Sequence, residues 1–450
     1  MTRQTRKAIL GIVCLSLFVN VPLRVLAQEE EKEKENQLSI SLSMLGHGET
    51  RNGGVDPSVN TEDAEVEDKA NFLMGRTRLM VDFQKPGLQA KVTAQHSGIW
   101  GQKGQGSFNI HEAWAKLSAR NGLFAQIGRQ ALSYDDERII GPNDWAMAAQ
   151  SHDVLRVGYE GHGHKAHVIL AYNQNSENIT GGTYYKDGAQ PYKTMHTAWY
   201  HYDFSKLPLG ASVLFMNIGM QAGEKDGTEM YAPHTEYQQL LGGYLCYRPK
   251  GLKAEASYYR QFGNDEDGVK IDAWMASVKA EWQYTPQLGF TAGFDYMSGD
   301  KYFAVPGKGM IGVVYHDAIR GFNPIYGSHH QFYGLMDFFY VQTYVNGFTP
   351  GLQNLSAGVS YKPIKGLDLK LGYHYLAVAT KLKDMDMTLG HDIDFEASYA
   401  LMPDVRLSVG YSFMTGTETM EKLKRADKDG NLRWGWFSLV VSPKLFFTKW

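Results

Sequence analysis

The chain has almost no cysteine, little proline, and no long apolar run beyond its first residues. Two cysteines and 15 prolines occur in 450 residues. Cys14 lies in the N-terminal apolar stretch, which leaves Cys246 alone, and one cysteine excludes an internal disulfide. Past the first 27 residues nothing approaches about 18 consecutive apolar positions, so a transmembrane helix is excluded there. A dominant 3.6-residue apolar stripe is also missing, as is any fixed-period repeat. There is no glycine-rich phosphate loop and no basic, aromatic nucleic-acid face, so no nucleotide or nucleic-acid partner is expected. The formal charge is only -3.

Glycine and aromatics are plentiful instead: Gly 48, Tyr 27 and Phe 21. That mixture suits short strands joined by turns. Residues 1–27 read as a signal peptide, with Arg3, Arg6 and Lys7 before an apolar core at 8–18 and Val25-Leu-Ala27 at the cleavage positions. Its loss removes four positive residues and no acid, taking the charge from -3 to -7. Residues 28–37 form a charged linker, and 38–450 a single β-domain.

Period-two alternation then runs to the end. Leu38, Ile40, Leu42 and Met44 alternate with three serines. Thr77, Leu79, Val81 and Phe83 oppose Arg76, Arg78 and Asp82. Similar segments follow at 88–96, 108–118, 123–130, 154–159, 165–173, 194–204, 210–220, 237–247, 252–262, 273–284, 288–298, 352–361, 367–377, 393–401, 405–413 and 432–441. About nineteen candidates result, most near the roughly 9–11 residues of a membrane-spanning strand. Bacterial outer-membrane barrels use an even number, so about 18 strands are expected, with 331–344 the weakest region. Connections alternate: short turns at Pro86-Gly87, Asn121-Gly122, 161–164, 207–209, 249–251, Pro286, 363–366 and Pro403, and long loops at 46–70, 98–107, 131–153, 174–192, 221–235, 263–271, 299–330, 378–391 and 416–431. Short periplasmic turns and long extracellular loops are the pattern of a transmembrane antiparallel β-barrel. The aromatic end, Lys444 to Trp450, fits an outer-membrane insertion signal. The expected location is the outer membrane.

In such a barrel one strand face meets lipid and the other the lumen. The lumen face is expected to hold Arg76, Arg78, Lys91, Lys116, Arg156, Lys253, Arg260, Lys279, Lys370 and Arg406, mixed with Asp82, Glu112, Glu255, Asp295 and Asp368. Basic rings favour anions. Mixed charges also brace a barrel through ion pairs, and both readings stand for any one residue. Between 128 and 159 a charged connection carries Asp135, Asp136, Glu137, Arg138, Asp144 and Asp153. It is expected to fold inward, with Arg138 and Asp144 at a constriction. Arg129 shares the parity of Leu123, Ala125 and Ile127, so facing inward would require a bulge near Gly128.

Gly128-Arg-Gln130, Asp135-Asp-Glu-Arg138, Ile140-Gly141, Asn143-Asp-Trp145 and the Asp153–Arg156 strand start resemble the alginate export family. So do Phe322-Asn-Pro-Ile-Tyr326, His330 and Phe332-Tyr-Gly-Leu-Met-Asp337. The resemblance implies a monomeric outer-membrane barrel of 18 strands with an arginine-lined, anion-selective pore. It implies Arg76, Arg129, Arg138 and Arg156 as lumen cations, with Asp136, Asp144 and Asp153 as partners. The function that follows is a channel for polar or anionic solutes, an anionic polysaccharide such as alginate among them. Partners are outer-membrane lipid, the solute and periplasmic export or uptake components; no cofactor or metal is implied.

Other chemistry is weaker. Asp135-Asp-Glu137 as paired catalytic carboxylates would alternate faces, beside arginine. His329-His330 are adjacent and seldom reach one ion together. Asp427-Lys-Asp-Gly-Asn431 lacks the closing glutamate of a calcium loop. A serine hydrolase would need Ser, His and a carboxylate on one spot, and no motif marks such a set. A barrel enzyme of lipase or protease type and a plugged structural or adhesive barrel remain the alternatives.

Overall fold

A computed structural model describes residues 36–53, 69–103, 106–174, 177, 184–185, 190–223, 233–300, 318–339, 349–382, 384–424 and 432–450. The signal-peptide assignment, nearly all of the linker, most of the 299–330 loop and the 427–431 motif lie outside these residues.

The wall is antiparallel throughout. In chain order it comprises β1 (Gln37–Asn52), β2 (Lys69–Lys85), β3 (Leu88–Ile99), β4 (Ser107–Ser118), β5 (Leu123–Gln130) and β6 (His152–Gly161). Next come β7 (His164–Tyr172), β8 (Thr194–Asp203), β9 (Leu209–Ala222), β10 (His234–Tyr247), β11 (Leu252–Asn264), β12 (Lys270–Gln283) and β13 (Leu288–Met297). The last are β14 (Leu352–Tyr361), β15 (Leu367–Ala377), β16 (Thr388–Met402), β17 (Val405–Gly416), β18 (Leu432–Val441) and β19 (Lys444–Lys449).

Each strand pairs with its sequence neighbour, and the last returns to the first. Val441 to Arg433 of β18 oppose Met44 to Asn52 of β1, while β19 opposes Gln37 to Ser41. Thus β18 and β19 are one stave interrupted at Ser442-Pro443, and 19 segments make a closed barrel of 18 staves. Pro443 has no N–H to give, but its carbonyl accepts from Leu42 N at 3.0 Å, and Ser442 N donates to Asp404 O at 2.8 Å. The break therefore costs little pairing. Asn36 and Trp450 exchange backbone hydrogen bonds of 2.9 and 3.2 Å, so the two chain ends meet at the short-turn rim.

At that rim the connections are two to five residues long. Opposite, they are longer, with one correction: β11 and β12 are joined by only residues 265–269, because both strands extend past the expected loop boundaries. Asp265 closes this turn, its Oδ1 accepting from Val269 N at 2.8 Å. Of the weak region 331–344, residues 331–339 form no strand and follow a 3₁₀ turn, His329–Gln331, while 340–344 lie outside the described residues. Among the described residues no helix is long and apolar enough to cross a membrane. A short helix, α1 (Glu418–Lys424), lies between β17 and β18.

Large apolar side chains cover the outside: Leu79, Val92, Ile127, Val213, Val278, Leu355 and Val409 are all exposed. Burying one such side chain is worth about 1.5–3 kcal/mol. A surface that leaves so many uncovered is stable against hydrocarbon and not against water. The buried core lies inside the barrel. Leu132, Ile139 and Ile140 of the 131–151 loop pack with Phe322, Tyr326 and Tyr333 and with inward wall residues such as Met195, Met216, Leu240 and Met275.

Candidate permeation site

Two inward loops define the site. Residue 131 leaves the wall where β5 ends, and the chain crosses the lumen before rejoining it at β6. Residues 318–339, between β13 and β14, come in from the other side. The loops join at a parallel bridge between Ile140 and Tyr326. Gly141 N donates to Tyr326 O at 2.9 Å, Tyr326 N to Ile139 O at 3.1 Å, and Ser328 N to Glu137 O at 2.9 Å. Asp135, Glu137, Asn143, Ala149, Ile325 and Asp337 have positive φ, six of the eight such non-glycine residues described. For Ile325, β-branched at φ 54°, that conformation is strained. Tertiary contacts hold these loops in shapes their sequence does not favour.

Arg138 is the hinge of the arrangement. It is 2% exposed. Its guanidinium meets Asp295 of β13 at 3.0 Å and Asp136 at 3.2 Å, and donates to Tyr333 Oη at 3.1 Å. It also stacks over Phe332, 4.1 Å from the ring centre. Burial opposes its charge, but Asp295, Tyr333 and Asp136 outweigh burial and raise its pKa. Burial and the neighbouring acids push the Tyr333 phenol up to about 12, against the pull of Arg138. Asp135 is held by Trp199 Nε1 at 3.1 Å, and burial raises its carboxyl despite that bond.

The loop tip docks on the wall at β18, β1 and β2. Asp144 bridges Arg78 at 2.7 Å and Arg76 at 3.3 Å. Trp145 stacks on His330 at 4.0 Å between ring centres and meets His47, Trp434 and Trp436 edge-on. Ala148 O accepts from Gln95 Nε2 at 2.9 Å. His330 in turn meets Asp337 at 2.9 Å. Burial lowers His329 to about 4. Among the described residues no group of side chains is placed to hold a metal ion.

Not every expected lumen residue faces inward. Arg260 does not: it shares the outward face of β11 with exposed Tyr258 and Phe262, and pairs with Asp272 at 3.0 Å. Its parity is that of Ala254, and the earlier assignment broke the alternation. Arg129 also keeps outward parity. The register runs unbroken through Gly128 on both sides, so the required bulge is absent. Gly128 instead takes φ 120°, and a Cβ there would sit 2.2 Å from Ala113 O. Arg129 and Asp153 oppose each other across the strands and pair at 2.7 Å where β5 ends. Arg129 stands at the edge of a cavity of about 700 Å³ that reaches Gln190, Asn323 and Tyr326.

Below the loops the inner wall is polar. Lys91 meets Glu112 at 2.6 Å, Lys253 meets Glu255 at 2.7 Å, and Lys279 meets Glu281 at 2.8 Å. Lys116, Gln126 and Arg156 form one row across β4, β5 and β6. Arg156 donates to Gln126 Oε1 at 2.6 Å, and Lys116 lies over the Phe124 ring at 4.2 Å. Among the described residues neither cation pairs with a carboxylate. Two cavities of about 300 and 220 Å³ open on the far side and share Arg138, Lys279, Gln331 and Phe332.

Sequence reasoning missed two serine–histidine–acid sets. His47 bonds Ser438 Oγ at 2.6 Å and Glu49 at 3.0 Å; His201 bonds Ser212 Oγ at 2.7 Å and Asp203 at 3.0 Å. The legible signal was His-x-acid on one strand face. Both histidines are buried and stacked on tryptophan, His47 on Trp436 and His201 on Trp199, which fixes both sets in the wall.

Known proteins agree with this picture. The family model described as alginate export matches residues 101–429. A BenF-like porin from Pseudomonas fluorescens Pf-5 is 11% identical, with a TM-score of 0.60 over 91% of this chain and 99% of that one. Pseudomonas aeruginosa OccK2 (OpdF), solved in complex with glucuronate, is 12% identical at a TM-score of 0.59, covering 91% of this chain and 98% of that one. Pseudomonas aeruginosa OpdL is 13% identical at 0.58, covering 91% and 99%. At these identities the likeness is one of fold. None of the curated protein sequences matches the chain.

Proposed function

Because the chain belongs to the alginate export family and forms an outer-membrane barrel, we propose that it is a channel through which small polar and carboxylate-bearing solutes diffuse. The observation that carries this is the Lys116–Gln126–Arg156 row, where two inward cations lack a carboxylate partner. A cation already paired holds a passing anion poorly; one that is not can bind it weakly and release it, which conduction requires. Arg76, Arg78, Lys91 and Arg138 act differently: their carboxylates fix the loops and the wall, and they shape the aperture. Glu112, Asp136 and Asp144 serve as those partners.

An anionic polysaccharide such as alginate is the most demanding member of the class. It would have to thread a lumen that two loops cross, past cations that are mostly neutralised. Small sugar acids fit with less rearrangement, and OccK2 has been solved with glucuronate. The protein works as a monomer after its leader is removed, with lipid outside and periplasmic components supplying or receiving the solute. Planar-bilayer conductance and uptake of glucuronate into liposomes test the proposal. Lys116→Gln with Arg156→Gln should weaken anion preference, and unchanged reversal potentials would reduce both residues to braces. A second reading, a plugged structural barrel, draws on the core formed where the loops meet; absence of any open channel would favour it.

A further inference from the structure

We propose that the cavity of about 700 Å³ at the long-loop mouth is a binding site for uncharged polyhydroxylated solutes, sugars or polyols. This goes beyond the channel reading, because it concerns capture at the outer mouth and requires no conduction. Asn109 stands on β4 and Gln238 on β10, Gln190 lies just before β8, Gln150 ends the first crossing loop, and Asn323 belongs to the second. Five segments far apart in the chain thus bring carboxamides to one hollow, and Tyr326 adds a phenol. Its volume lies within the roughly 300–1,000 Å³ common for small-molecule sites.

Charge does not account for the site. Among the described residues no carboxylate lines it. Its one permanent cation, Arg129, is spent: Nε and Nη2 donate to Asp153 at 2.8 and 2.7 Å, and Nη1 donates to Ile110 O at 3.3 Å. A guanidinium closed by its own carboxylate in this two-pronged way has little left for another anion.

What the cavity offers is hydrogen bonding in both directions. Gln190 Nε2 donates to Asp153 at 3.3 Å, Gln150 Nε2 lies 3.1 Å from His152 Nε2, and Asn323 Oδ1 accepts from Ile325 N at 3.1 Å. One end of each amide is anchored, and the other has no partner among the described residues. The Gln238 amide and the Tyr326 hydroxyl have none at all there. A carboxamide donates through nitrogen and accepts through oxygen, and a hydroxyl does both. A carboxylate only accepts and an ammonium only donates, so either leaves part of this set unmatched. Sites built of polar groups reject ligands that leave those groups unpaired.

The floor is aromatic. Tyr326 meets Tyr192 at 5.4 Å and His152 at 5.6 Å between ring centres, both edge-on, and His152 bonds Tyr192 Oη at 2.8 Å. All three are buried. Met220 lines the cavity, while Ile218 and Met216, successively deeper on the same face of β9, are fully buried. Packed protein therefore lies beneath the hollow on this side, and a solute there is held rather than passed straight down. Aromatic and aliphatic side chains below, with amides around, match a ring that is apolar on its faces and hydroxylated at its rim.

The test uses the purified full chain in a detergent without a sugar headgroup. The probes are glucose and glucuronate, one ring with and without a carboxylate. Saturation-transfer difference NMR titrations read weak binding and need no open pore. Glucose should bind saturably and at least as tightly as glucuronate. Gln238→Leu and Tyr326→Phe each remove only groups that lack a partner, and the second keeps the ring in its packing. Each should weaken glucose binding roughly fivefold, the loss of about one hydrogen bond. A parent that binds no glucose saturably overturns the inference. So does glucuronate binding more than roughly tenfold tighter than glucose, the mark of a charged hydrogen bond. Unchanged affinity in both variants overturns it too, since the sugar then sits elsewhere. A parent that binds glucose but conducts no ions fails the channel reading and leaves this site standing; one that conducts but binds no glucose does the reverse.

Discussion

The outer and inner halves of the lumen are built on different physics. Toward the long loops, the inner wall is apolar: Met195, Met216, Leu240 and Met275 face inward and grip the two crossing loops. Toward the short turns it is polar, and lysines meet glutamates on an open face. The first region behaves as the core of a globular protein enclosed in a barrel. The second behaves as a wetted surface. Side chains in the first should therefore be costly to change, and those in the second cheap in stability but decisive for what passes.

Removing the Arg138 side chain should break that contrast most severely. Arg138→Ala strands Asp136 and Asp295 as buried charges, a loss of about 3–5 kcal/mol. The loops should lose amide-exchange protection and conductance should rise while the wall stays intact. Unchanged protection at 131–151 and 318–339 would show that the guanidinium is not what joins them. Trp145→Ala comes next, on the order of 3 kcal/mol for a large aromatic removed from a packed site. It should free the loop tip from β1 and β18, exposing His330 and Trp434; a normal exchange profile at 141–150 would count against it.

Much of the polar half was legible in the sequence, and little of the apolar half. Alternation in 252–262 is enough to put Lys253, Glu255 and Ser257 on one face, because a strand gives each residue only two directions. Alternation also put Arg260 outward, and the error there was to follow its charge instead of its parity. What no local pattern carries is the partner. Arg138 is readable as an inward arginine, but Asp295 lies far along the chain and meets it only after the barrel has closed. The bridge between Ile140 and Tyr326 is equally non-local. One signal was available and unread: in 213–218 both faces are apolar, Val213 and Phe215 outward, Leu214, Met216 and Ile218 inward. A strand with lipid on one side and hydrocarbon residues on the other announces that protein, not water, fills the lumen at that height.

Acid should loosen the packed half selectively. Burial lowers His329 to about 4 from an ordinary 6.5, so the docked loop holds it neutral. The undocked chain binds a proton that the docked one refuses. Docking strength is therefore full above pH 6.5 and is lost as pH falls toward about 4. One pH unit below 6.5 should weaken docking by roughly 1.4 kcal/mol. Exchange protection of 318–339 measured across this window should fall in the parent and stay flatter in His329→Gln. Identical pH profiles would assign the acid response to another group.

The smallest effect belongs to the outside of the barrel. Arg260 and Asp272 form an exposed pair at 3.0 Å among outward aromatics. Exposed pairs contribute about 0–1 kcal/mol. Arg260→Gln should leave thermal stability nearly unchanged and, because the side chain points away from the lumen, should leave the reversal potential where it was. The same substitution at Arg156, an arginine on the inner face, should move that potential. The two variants remove the same charge, so a difference between them can come only from which side of the wall the charge stood on. If Arg260→Gln shifts selectivity as far as Arg156→Gln, the distinction between an inner and an outer face fails at β11, and the register of that strand with it.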